Sequence, residues 1–198
     1  MQFAYQYPER CERLVLVASG GLGSEVMPLL RLAALPGASA AIAASLCLPA
    51  RLSRGAALRA VVTAGLLDRR DADDLAHIWH GLRDRSTRSA FLRTLRGVID
   101  VRGQSISSRD RTYLTAGVPT LLVWGARDPV LPVAHVHAVA DALPEAQVDI
   151  VPRAGHTPHR TDVQHFVSVV SAFIDTTDPA VHEPTVWRTL LEQGTAGG

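Results

Sequence analysis

Three short stretches rich in aliphatic and β-branched residues, 14–18, 121–124 and 147–151, interrupt a chain that otherwise reads as helical. Each stops at glycine, at proline or at serine followed by glycine. An unbroken apolar run such as Leu121-Leu122-Val123-Trp124 is expected of a parallel strand covered on both faces. Between the first and second stretches, from about residue 25 to 114, strand signals vanish and Ala, Leu and Arg dominate. The spacing there predicts helices over 27–35, 38–48, 55–67, 71–82 and 87–101. In the last of these Phe91, Leu92, Leu95, Val98 and Ile99 recur at helical spacing, with Arg93 and Arg96 on the other side. Asp71 falls at a helix start, where the helix dipole favours an acid. Outside this region, 1–7 reads as the last turns of a helix closed by Pro8. A second helix spans 132–143, with Pro132 at its start and Pro144 at its stop. Thr161-Asp162-Val163-Gln164 has the form of a capping box. The helix it opens carries Val163, Phe166, Val167, Val170, Phe173 and Ile174 as one apolar stripe, expected to pack on the sheet. After Asp175 the chain turns polar; Trp187, Leu190 and Leu191 are expected to dock a short last helix, and 194–198 to fray.

This pattern describes an α/β fold of about three parallel strands with packed helices and one large helical insertion. The expected division is 1–24 as the start of the core, 25–115 as the insertion, 116–176 as the rest of the core and 177–198 as a tail.

Chemistry concentrates after the second and third strands. Gly125 ends the second strand, and Pro129 and Pro132 stiffen the loop that follows, which places Asp128 at the strand's C-terminal end. Open α/β sheets hold their reactive groups at that edge. The third strand leads into Pro152-Arg153-Ala154-Gly155-His156, which delivers a second ionisable group from the same edge. An aspartate and then a histidine, each on a loop after a parallel strand, is the chain order of acid and base in a Ser-Asp-His system.

The segments W-G-A-R-D-P-V-L-P and G-H-T-P-H resemble the C-terminal half of the α/β-hydrolase superfamily. The resemblance implies that Asp128 is the triad acid, that His156 is the triad base, and that 25–115 is a lid over the active site. It implies no metal and no cofactor. Val15-Leu16-Val17-Ala18-Ser19-Gly20-Gly21-Leu22-Gly23 is similar to the corresponding stretch of carbon–carbon bond hydrolases of aromatic ring cleavage. Ester hydrolysis fits equally, and the substrate expected is small and apolar. The superfamily's nucleophile stands in G-x-S-x-G, ahead of the helix that 1–7 would complete, and no G-x-S-x-G occurs in these 198 residues. The chain is therefore expected to be inactive as given, with its first strand presenting an unpaired edge open to self-association. The alternative is a non-catalytic remnant whose lid pocket binds an apolar ligand or another protein chain.

Composition adds exclusions. Apolar residues make up 47% of the chain and charged residues 20%, enough for one core. A net charge of +1 gives no field for nucleic acid. All 20 basic residues are arginine. Two cysteines without metal or redox spacing, and no leader-like N-terminus, read as a cytoplasmic protein. The uncharged stretch 32–50 is broken by Pro36, Gly37 and Pro49, so it reads as a pair of buried helices rather than a membrane span. Gly20-Gly21-Leu22-Gly23 lacks the Lys-Ser/Thr of a phosphate loop and is read as the exit from sheet to lid. His77 and His80 have H-x-x-H spacing without further ligands, and are read as a partly exposed helix face. His135 and His137 are expected at solvent or the sheet edge, and the arginines of the insertion on a solvated surface.

Overall fold

The computed structural model describes residues 1–47 and 69–195. Helix α1 (Gln2–Gln6) ends at Tyr7 ahead of Pro8 and leads into strand β1 (Leu14–Val17). The insertion follows as α2 (Pro28–Ala34), α3 (Ala38–Cys47), α4 (Arg69–Gly81) and α5 (Arg85–Val98). It closes with a small hairpin, β2 (Ile99–Asp100) and β3 (Gly103–Gln104). The core resumes with β4 (Thr120–Gly125), α6 (Ala134–Ala142) and β5 (Gln147–Val151). Helices α7 (Pro158–Thr161), α8 (Val163–Thr176) and α9 (Pro184–Thr195) complete it. The helix expected over 55–67 lies outside the described residues.

The three strands expected from the apolar pattern form one parallel sheet in the order β1-β4-β5. Every residue of β4 is buried, and its side chains alternate between two cores. Leu122 and Trp124 join Leu92 and Leu95 of α5 and Val136 and Val139 of α6. Leu121 and Val123 meet Val151, Ala154 and Phe173 of α8. A continuous apolar run is what this two-sided burial requires.

Several expectations shift at their edges. Helix α5 stops at Val98, three residues short of the reading, because Ile99 enters the hairpin and buries its side chain there. Asp100 accepts the N–H groups of Arg102 and Gly103 and so closes the turn. Asp162, not Thr161, caps α8 by accepting from His165 N at 3.0 Å. The stripe of α8 is narrower than expected: Phe166, Val170 and Phe173 pack on the sheet, whereas Val163, Val167 and Ile174 are exposed.

Two arginines read as solvated surface also hold helix ends. Arg96 donates to the carbonyls of Ala34 and Leu35 at 3.0 Å each, satisfying the C-terminus of α2. Arg88 donates to Leu82 O at 2.7 Å, just past α4. His135 is also buried rather than at solvent, seated so closely on Gly23 that a Cβ there would meet its ring at 2.3 Å. His137 is exposed. The uncharged stretch bends by 114° between α2 and α3, and no single helix among the described residues is long and apolar enough to cross a membrane.

Candidate active site

The loop after β4 is built to hold one carboxylate. Gly125 O accepts from Asp128 N at 3.2 Å, forming the turn that starts it. The indole of Trp124 donates to Leu131 O at 3.0 Å and closes the loop from below. Asp128 then points its carboxylate inward, with no side-chain surface left exposed. Oδ1 accepts from the backbone N–H groups of Val130 and Leu131 at 2.8 and 2.9 Å. Oδ2 lies 2.9 Å from Nδ1 of His156. These three partners are what a buried carboxylate needs in exchange for its hydration.

His156 reaches this position because its loop folds back over the end of β4. Ala126 N donates to Val151 O at 3.1 Å and Arg127 N to Ala154 O at 3.0 Å, so the loops after β4 and β5 are stitched together. Gly125 is the crossing point, where a Cβ would sit 2.0 Å from Gly155 O and 2.5 Å from Ala154 O. Backbone atoms cannot yield there, which explains why glycine ends the strand. With Nδ1 engaged by Asp128, the proton sits on Nδ1 in the neutral imidazole and Nε2 keeps its lone pair.

The imidazole is about one-third exposed. Burial alone pushes its pKa down, but the hydrogen bond and charge of Asp128, with the charges of Asp71 and Asp74, outweigh burial and leave it above the ordinary 6.5. The pairing therefore contributes fully to stability below the unfolded value near 6.5, and that contribution is lost as pH rises through the folded value. An NMR titration of the His156 ring should accordingly show a midpoint above 6.5; one at or below 6.5 contradicts this balance of charges.

Beside His156 opens a cavity of about 880 Å³ between the sheet edge and the insertion. Its walls include Leu29, Leu32, Ile42, Leu75, Trp79 and Phe91, with Thr157 next to the imidazole. His80 lies on this wall but His77 does not, so the two do not share the pocket. No group of three or more potential metal ligands occurs among the described residues. A smaller cavity of about 400 Å³ lies at the glycine loop after β1, bounded by Gly20, Gly21, Gln104 and Ser108. Gln104 binds that loop through Gly21 N at 2.6 Å and Gly23 O at 2.7 Å.

The sequence pattern missed the acid on the insertion. Asp71, placed there only as a helix-start acid, is 4% exposed and accepts the backbone N–H of His156 with both oxygens at 3.1 Å. No local signal marks a contact between residues 85 apart in the chain.

A TAP-like protein family model of the α/β hydrolases matches residues 99–182, which hold Asp128 and His156. An uncharacterized protein of Mycobacterium tuberculosis is 40% identical over 98% of this chain, and the match spans 58% of that protein. A meta-cleavage product hydrolase from Pseudomonas fluorescens superposes with a TM-score of 0.57 at 20% identity, covering 88% of this chain and 59% of the other. A thermophilic esterase gives a TM-score of 0.56 at 18% identity, covering 90% and 62%. The chain has part of the α/β-hydrolase fold, and residues 99–182 match one of that fold's family models. It spans less than two thirds of the length of each of these proteins. Within the hydrolase fold, β1, β4 and β5 with their helices represent part of the sheet, and α2–α5 form a helical insertion between two neighbouring strands.

Proposed function

We propose that this chain carries the acid and base of a hydrolase acting on a small, apolar, uncharged ester or on a carbon–carbon bond beside a ketone. Asp128 is the orienting acid and His156 the general base. The observation that carries the reading is the 2.9 Å pairing of His156 Nδ1 with a fully buried Asp128 carboxylate, at the mouth of an apolar cavity. In this arrangement Asp128 fixes the tautomer and favours the imidazolium that forms when Nε2 takes a proton. The same imidazolium then returns the proton to the leaving group. The insertion α2–α5 is the lid: its leucines and aromatic rings exclude water and accept an apolar substrate. Among the described wall residues the charged groups are Asp71 and Asp74, both acidic, which disfavours an anionic substrate.

Residues 1–198 contain no G-x-S-x-G, so the hydrolase reading requires a nucleophile from outside them. The test is to read and express the frame upstream of the Met1 codon. A frame that supplies G-x-S-x-G and hydrolyses p-nitrophenyl butyrate, where the 198-residue chain alone does not exceed buffer, supports the reading. An in-frame stop with no such motif favours the second reading, a non-catalytic chain whose cavity holds an apolar ligand. That reading draws on the same 880 Å³ cavity and predicts binding of a fluorescent apolar probe without turnover.

A further inference from the structure

We infer that Asp71 is a positioning residue that locks the helical insertion onto the backbone of His156, so that a seated insertion adds to what holds the base in place. The inference rests on the reading of His156 as the base, but its geometry is independent of any reaction. Asp71 stands in the first turn of α4, and its carboxylate spans His156 N with both oxygens at 3.1 Å. It is buried, and a buried anion is tolerated only where it has strong donors.

The neighbouring loop is shaped around it. A Cβ at Gly155 would lie 1.6 Å from Asp71 Oδ2 and 2.6 Å from its Cγ. The conformation of Gly155 is not otherwise restrictive, for its φ lies outside the left-handed region. Glycine is therefore required at 155 by the carboxylate of another element and not by its own backbone. Two flanking contacts run between the same segments: Arg70 donates to Arg160 O, and Arg160 pairs with Asp74. Three consecutive contacts thus join one turn and a half of α4 to residues 156–160. The charged groups facing the His156 ring are Asp128 from the β4–α6 loop and Asp71 and Asp74 from α4, with Arg160 offsetting Asp74. Release of α4 would remove two of the three acids at once and free the His156 amide.

The test uses the 198-residue chain, with the ring and amide of His156 followed by NMR. In Asp71→Asn the acceptor shape is kept and the charge is lost, so the His156 titration midpoint should fall. In Asp71→Ala the His156 amide should exchange with solvent roughly ten-fold faster or more, the loss expected for a hydrogen bond to a charged acceptor. Gly155→Ala should disrupt the native chain but be tolerated when combined with Asp71→Ala, which removes the Cγ and both oxygens that the methyl group would meet. A His156 amide that exchanges no faster in folded Asp71→Ala than in the native chain overturns the inference. So does a Gly155→Ala penalty that is the same with and without Asp71. If Asp71→Asn does not fold, the comparison of G155A with D71A/G155A still decides the matter. None of these readouts depends on turnover, so failure of the hydrolase reading would leave them standing, and their failure would leave that reading intact.

Discussion

Asp128→Ala should lower the stability of the folded chain by about 2–6 kcal/mol, roughly 1–3 kcal/mol for each of the two backbone donors it leaves unsatisfied. The side chain is fully buried and holds three donors at once: Val130 N, Leu131 N and His156 Nδ1. Alanine leaves the first two pointing into a protein interior and frees the third. Asp128→Asn separates structure from chemistry. Its Oδ1 can still accept from Val130 and Leu131, so the loop should persist and most of the stability with it. The anion is gone, however, and the His156 midpoint should fall toward or below 6.5. In a polypeptide that supplies the nucleophile, the same asparagine should reduce kcat by roughly 10⁴-fold, because the imidazole loses both its fixed tautomer and its countercharge. Urea denaturation of the two variants, with the ring titration alongside, checks the structural part. Equal stability losses in both would show that charge, not the pair of backbone donors, dominates the site.

His156→Ala should have the largest effect on rate, a loss of roughly 10⁴- to 10⁶-fold in kcat in the extended polypeptide. Without Nε2 nothing in the described cavity takes the nucleophile's proton: the remaining titratable walls are Asp71, already bound to a backbone N–H, Asp74, paired with Arg160, and His80, on the far turn of α4. The ring is about one-third exposed, so its removal should leave the fold in place, although Asp128 Oδ2 loses its partner. Steady-state rates with an apolar ester, measured on chains shown to be folded, check this. A loss under ten-fold would remove His156 from the role of base. The pH profile adds a second reading. A base must be neutral to act, so the rate should rise with pH through a value above 6.5.

Much of this architecture was legible from local chemistry. The unbroken apolar run at 121–124 could be satisfied only by burial on both faces, and β4 is buried throughout. Asp128 and His156 were legible because strand, glycine and loop recur in the same order at both places, and strand polarity alone then puts both side chains at one edge. The break at Pro36 and Gly37 announced the bend between α2 and α3. Local patterns failed where a residue's role belongs to a distant partner. Ile99 keeps helical spacing with Leu92 and Leu95, yet a hairpin closed by Asp100 takes it out of α5. His135 looks like a surface residue of a short helix until Gly23, more than a hundred residues earlier, provides its seat.

The sequence by itself determined the three parallel strands, the edge at which the ionisable groups emerge, and the identity of the acid and base candidates, because periodicity and turn chemistry act over a few residues. Only the tertiary structure decided that the His156 loop crosses back at Gly125 to meet Asp128, and that Asp71 reaches across from the insertion to hold it. Those contacts are set by how whole elements pack against one another, and no short stretch of the chain carries that information.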